Sequence, residues 1–167
     1  MRLSAFFKKF FSQRRDFIKQ QYNRVLPLNE LITDRWEKAK YLGFGEGTSV
    51  YDSCALFGEV KVGKNTWIGP FTVLDGSGGL EIGDNCSVSA GVQIYSHDSV
   101  DWALSGGKAS YVYGKTIIGN NCYIGPNVVI SMGITIENNV VIGANSFVNR
   151  HLEAGKKYAG NPVKEIG

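Results

Sequence analysis

The sequence predicts an all-β core assembled from a six-residue unit, one short strand and one turn, with a helical region in front of it. Three observations predict this. Every sixth residue from Phe44 is apolar, through Val50, Leu56, Val62, Ile68 and Leu74. After a two-residue slip at Gly78-Gly79 the series resumes as Ile82, Val88 and Ile94, and after a gap as Ile118, Ile124, Ile130, Ile136, Ile142 and Val148. With 43% apolar residues in the chain, 15 such anchors in a row have a chance on the order of 10⁻⁶. Second, glycine is abundant, 21 of 167 residues against an average of about 7%, and it follows the anchor at Gly45, Gly63, Gly69, Gly83, Gly119, Gly125 and Gly143. Third, the residue two before the anchor is small or β-branched, as at Thr66, Thr72, Cys86, Val92, Thr116, Cys122, Val128, Val140 and Ser146. Strand alternation turns positions i−2 and i to the same face, so both point inward.

Taken along the chain, residues 1–43 read as helical. Leu3, Phe6, Phe7, Phe10 and Phe11 follow helical spacing, and so do Leu28, Leu31, Ile32, Trp36 and Ala39. Pro27 separates the two segments, and Gly43 suits the end of the second. Residues 1–24 carry seven basic groups and one acid, +6, while the whole chain is +3, so the remainder is −3. The first segment has two readings: an amphipathic helix lying weakly on an anionic membrane surface, or a helix packed on its own protein. Nothing beyond it resembles a basic nucleic-acid surface.

The repeat runs over 44–153. Lys64-Asn65, Asp84-Asn85, Asn120-Asn121 and Asn138-Asn139 suit corners, because Asn tolerates left-handed backbone angles. Ile94 and Ile118 are 24 residues apart where one hexad is expected, so residues 98–115 leave the repeat as a loop. Residues 154–167 are left as a C-terminal tail. Cys54, Cys86 and Cys122 each stand two before an anchor and are expected in the core, not as nucleophiles. They show no CxxC spacing, which argues against a zinc site or a disulfide framework. No apolar run reaches the roughly 20 residues that span a bilayer and no signal peptide is visible, so a cytoplasmic protein is expected, with a peripheral place at the inner membrane face if the first helix binds lipid.

Chemistry is sought where the loop leaves the repeat. His97 stands three residues past Ile94, either as a polar anchor of the loop or as a general base, imidazole being able to take a proton near neutral pH. Asp75 follows Leu74, one coil below, which brings it to the loop base; alone it fits an Asx turn in Asp75-Gly76-Ser77-Gly78-Gly79. Tyr95 and Trp102, at the base of the loop and within it, join Asp75 as candidates to contact an acceptor.

The run Ile118-Gly-Asn-Asn-Cys-Tyr-Ile-Gly-Pro-Asn-Val-Val-Ile-Ser-Met-Gly-Ile-Thr-Ile, then Val141-Ile-Gly-Ala-Asn-Ser-Phe-Val-Asn and Ala159-Gly-Asn-Pro-Val-Lys-Glu-Ile, resembles the hexapeptide-repeat acetyltransferases, in particular the galactoside, maltose and polysaccharide O-acetyltransferase branch. The resemblance covers roughly 44–167. It implies a left-handed parallel β-helix of three flat sides, with about five coils beginning at Phe44, Val62, Ile82, Ile118 and Ile136. Tyr95-Ser96-His97-Asp98 stands where that branch carries its catalytic histidine, which implies His97 as base. The acceptor hydroxyl would then attack acetyl-CoA directly, with no metal. Pro126 occupies a position where some relatives carry a serine, so the resemblance leaves a nearby backbone amide as oxyanion donor. It also implies a homotrimer that binds CoA between subunits through Tyr123, Ala144, Asn149, Arg150 and Lys164, and a sugar or glycan acceptor in polysaccharide biosynthesis. Two alternatives remain: N-acetylation of a nucleotide-linked amino sugar, and a non-catalytic structural β-helix. A zinc carbonic anhydrase on this scaffold needs three histidines per site, and the chain has two.

Overall fold

The computed structural model describes residues 3–167. Met1 and Arg2, which open the expected helical region, lie outside the described residues. The long helix α1 spans Leu3–Tyr22. The second helical segment divides into α2, Leu28–Ile32, and α3, Arg35–Tyr41. The division is local chemistry: Asp34 caps α3, its Oδ1 accepting from the amides of Trp36 and Glu37, both at 2.9 Å, and capping requires an extended residue that interrupts the helix. Gly43 follows with φ +74°, a left-handed angle suited to leaving a helix.

From Phe44 the chain winds into a parallel β-helix whose three faces are stacks of the predicted anchors. One face aligns Val62, Ile82, Ile118 and Ile136 in register. The second aligns Val50, Ile68, Val88, Ile124 and Ile142. The third aligns Leu56, Leu74, Ile94, Ile130 and Val148. Every anchor except Leu56 is buried, and so are the nine small residues two positions earlier. Leu56 lies in the first coil, where no further coil covers it. Each fully buried Ile or Leu contributes about 1.5–3 kcal/mol, which makes the stacked column the main source of stability.

The five expected coils are extended by a sixth turn. Leu152 bridges to Ile136, and Lys157–Ala159 pairs in parallel with Val141–Ile142 before Lys164–Ile166 folds back on it. The chain therefore makes about six turns.

The corner asparagines behave as their residue type requires. Asn65, Asn85, Asn121 and Asn139 have φ between 52° and 61°. Their neighbours form a ladder between coils: Asp84 accepts from the Lys64 amide, Asn120 from the Asp84 amide and Asn138 from the Asn120 amide, at 2.6–2.7 Å.

The two-residue slip has an equally local form. Strand Val73–Ile82 pairs with Ala55–Val62, Gly58 opposite Gly76 and Val60 opposite Leu80, so that two extra residues are looped out at the corner. On its other edge the same strand meets Gln93–Ile94 and then Thr116–Ile118, which places residues 75–79 directly beside the root of the 98–115 loop. That loop has a stem, His97–Asp98 antiparallel to Val112–Tyr113, and a short helix α4, Val100–Leu104.

The helical region is fastened to the first coil. The buried Glu30 carboxylate accepts from the amides of Asp52 and Ser53 and from the Ser53 hydroxyl, and Lys38 Nζ donates to the carbonyls of Tyr51 and Asp52. Among the described residues no helix is long and apolar enough to cross a membrane.

Candidate active site

The site grows out of one corner, where the third face turns into the first. Asp75, one residue past its anchor, is 1% exposed and holds five hydrogen bonds. Its Oδ1 accepts from the amide and hydroxyl of Ser77, at 3.0 and 2.6 Å. Its Oδ2 accepts from the Ser96 amide at 2.9 Å, weakly from the Ser96 hydroxyl at 3.5 Å, and meets His97 Nδ1 at 2.6 Å. The Asx turn expected of Asp75 forms, and with it a contact to the histidine. One oxygen closes the Asx turn and the other reaches the histidine. The Ser96 hydroxyl in turn accepts from the Gly78 amide at 2.8 Å, so the looped-out corner and the histidine segment form one network.

Burial by itself would raise the Asp75 pKa. The Ser77 hydroxyl, the amides of Ser96 and Ser77, and His97 outweigh it and hold the carboxyl well below the usual carboxylate range. An ionised carboxylate can only accept, so Nδ1 of His97 carries a proton, and in the neutral imidazole the lone pair is then on Nε2. The imidazole side chain is 31% exposed. Its ring lies 5.9 Å from that of Tyr111, near parallel, and 6.3 Å from that of Tyr113. Trp102 meets Tyr111 edge-on at 5.6 Å.

An open groove of about 290 Å³ passes His97, lined also by Tyr95, Ser131, Met132 and Phe147. Tyr95 donates its hydroxyl to Gln93 Oε1 at 2.8 Å. The structure therefore brings together His97, Asp75 and Tyr95, with Trp102 joined through Tyr111. Asp75 sits behind the histidine with its oxygens occupied, and does not face the groove as an acceptor contact would. Asn149 and Arg150 are exposed at the same corner two coils on, and the Arg150 guanidinium lies 5.7 Å from the Tyr158 ring centre. Tyr123 and Ala144 are exposed on the second face and the corner after it, and Lys164 is exposed in the last strand. These five are not gathered into one pocket within a single chain. His151 accepts the Thr135 amide through Nδ1 at 2.9 Å, and Lys156 is paired with Glu153 and Glu165, which leaves fewer free cations at that end than the residue types suggest. Among the described residues, no three His, Cys, Asp or Glu side chains cluster as metal ligands would.

Sequence reasoning missed Ser77 and Ser96 as supports of Asp75, and Tyr111 and Tyr113 as walls of the histidine. The serines had a signal, since each is within two residues of a candidate. The tyrosines had none, because the loop has no period to read.

A parallel β-helix of six-residue repeats with a buried Asp–His pair at the root of an extruded loop defines a class, and comparison with known proteins agrees with it. The model of the hexapeptide repeat of succinyl-transferase matches residues 59–96 and 115–150, the two stretches on either side of the loop. The chain thus carries the hexapeptide repeat of that model on both sides of the loop. It is similar to galactoside O-acetyltransferase of Escherichia coli K12, 29% identical over 63% of this chain and 62% of that one. It is 30% identical to the bifunctional protein GlmU of Clostridium botulinum (strain Kyoto / Type A2) over 66% of this chain, and spans about a quarter, 25%, of that relative's length. Among solved structures it resembles a maltose O-acetyltransferase from Clostridium difficile 630, with TM-score 0.61 and 27% identity, covering 94% of this chain and 87% of that one. It also resembles AntD, an N-acyltransferase from Bacillus cereus in complex with dTDP and 3-hydroxybutyryl-CoA, with TM-score 0.67 and 26% identity over 74% and 70% of the two chains.

Proposed function

We propose that this chain transfers an acetyl group from acetyl-CoA to a hydroxyl of a sugar or glycan, with His97 as general base. The observation that carries the reading is the 2.6 Å contact between His97 Nδ1 and buried Asp75, which leaves Nε2 as the acceptor beside the groove. The acceptor O–H gives its proton to Nε2 while its oxygen attacks the thioester carbonyl. The resulting imidazolium is steadied by the Asp75 carboxylate. The tetrahedral intermediate then collapses, the C–S bond breaks, and the imidazolium returns the proton to the departing thiolate, giving an acetyl ester and CoA thiol. Pro126 offers no amide hydrogen. Met132, on the groove wall, has an amide with no hydrogen-bond partner among the described residues, and we assign the oxyanion to it.

The CoA chain, in this reading, runs from the groove toward Asn149 and Arg150, and a neighbouring subunit of a homotrimer supplies the opposite wall with Tyr123, Ala144 and Lys164. These five residues are exposed and are not gathered into one pocket of a single chain, which supports sharing. The likeness to maltose and galactoside O-acetyltransferases favours a sugar hydroxyl as acceptor. The likeness to AntD favours a second reading, acylation of an amine on a nucleotide-linked sugar, through the same base. An acceptor screen that follows CoA thiol release separates them. Release stimulated by saccharides without free amines supports O-transfer. Release only with amino sugars replaces it by N-transfer, and no acceptor-stimulated release with either class removes both.

A further inference from the structure

Helix α1 is used by nothing described so far. We propose that it is a docking surface for an anionic phospholipid bilayer. At 100° per residue Leu3, Phe6, Phe7, Phe10 and Phe11, with Phe17 and Ile18 two turns on, fall within about 160° of one face. Lys8, Lys9, Arg15 and Lys19 occupy the opposite side. No residue of α1 is buried, and Leu3, Phe6, Phe7, Phe10 and Phe17 are exposed large apolar side chains. The contrast with α2 and α3 is direct, since Glu30 and Lys38 bind those helices to the first coil. The hydrogen bond that holds α1 to them is from Arg14 Nε to the Leu31 carbonyl, 2.8 Å, near the middle of the helix, so the phenylalanine-rich half projects.

Charge selects the occupant. The segment Leu3–Tyr22 carries five basic groups and one acid, Asp16, for a net +4. Its apolar face continues into a groove of about 210 Å³ between α1 and the start of α3, whose walls bring Arg14, Arg24 and Arg35 together with Phe17 and Trp36. None of these arginines forms an ion pair among the described residues. The acid in the same groove, Asp34, is engaged as the cap of α3. A projecting aromatic stripe beside cations that have no acidic partner matches the bilayer interface, where rings enter the acyl boundary and basic groups meet lipid phosphates.

The test is co-sedimentation of the full chain with phosphatidylcholine vesicles, with and without about a quarter phosphatidylglycerol. The expected partition is at least about tenfold higher onto the anionic vesicles, falling as salt is raised. Joint Phe6→Ser, Phe7→Ser and Phe10→Ser substitution should abolish it, and Arg24→Gln should weaken it about fivefold, one basic residue's share. Circular dichroism and sedimentation velocity on the same variants should show unchanged fold and assembly. Equal, negligible binding to both vesicle types overturns the proposal. So does a loss of assembly in the phenylalanine variant, which would assign the face to a second copy of the chain.

Discussion

Two corners of this β-helix use the same device for different ends. At the Asn65, Asn85, Asn121 and Asn139 corner, a side-chain oxygen from each coil accepts a backbone amide of the coil before it, and the ladder Asp84, Asn120, Asn138 repeats without variation. At the Asp75 corner the side chain also accepts a backbone amide of the neighbouring coil, that of Ser96. Two extra residues at this corner and a loop of some 18 residues beside it break the repetition. Asp75 keeps an oxygen edge that no ladder amide fills, and His97 takes it. A structural corner becomes a candidate catalytic one when the repeat is interrupted, because interruption leaves a buried acceptor with capacity to orient a titratable ring.

The sharpest break of that comparison is His97→Ala. Loss of a general base should lower turnover by about 10²–10⁴-fold with acetyl-CoA affinity and thermal stability little changed. Wild-type turnover in steady-state assays would return His97 to the role of loop anchor.

Asp75→Asn comes next. It keeps the shape and the Asx turn but removes the charge facing Nδ1, and should cost about 10–100-fold in kcat with KM for acetyl-CoA preserved. The same variant tests the electrostatics. The folded-state pKa of Asp75 lies below its unfolded value of 3.8, so its ionisation stabilises the fold above that value, and this contribution disappears as pH falls through the folded pKa. Denaturant unfolding from pH 5 downward should therefore show wild type losing stability more steeply than the variant below about pH 4. Parallel curves would mean that the buried carboxylate is not held ionised.

Arg150→Ala probes the far end of the same corner. A charge-assisted contact to a CoA phosphate, partly exposed, should raise the acetyl-CoA KM about tenfold with little change in kcat. A thioester lacking the 3′-phosphate should lose less in the variant than in wild type if Arg150 reads that group, and equal losses in both would place it elsewhere.

The smallest effect is expected at the structural corner. Asn120→Ala removes an acceptor for the Asp84 amide and should cost about 1 kcal/mol in urea unfolding with kcat untouched. A drop in kcat comparable to that of Asp75→Asn would erase the distinction between the corners.

The period of the anchors, the inward small residues, the left-handed asparagines and the extent of the loop were all legible in the chain, because each is a property of spacing within a few residues. So was the neighbourhood of His97 and Asp75, once coils were counted. Their contact was less legible, since 22 residues separate them and a two-residue slip lies between. The support of Ser77 and Ser96, and the stacking of Tyr111 on His97, depend on how a non-repeating loop folds. The sixth coil escaped for a related reason. From Val148 to Leu152 is four residues, not six, so the turn that ends the stack falls out of the period that announced it.

By itself, then, the sequence determined the repeating unit, a short strand and a turn with its anchor turned inward, and the resemblance of that unit to known hexapeptide repeats implied a stack in which each coil covers the last. Tertiary structure decided what cannot be carried by spacing. It split the second helical segment at Asp34, left α1 without a cover, and turned Asp75 from the groove toward His97. Each of these outcomes is set by which partners reach a side chain across coils, and a hydrogen bond or a contact between distant residues has no signature in the local pattern of either one.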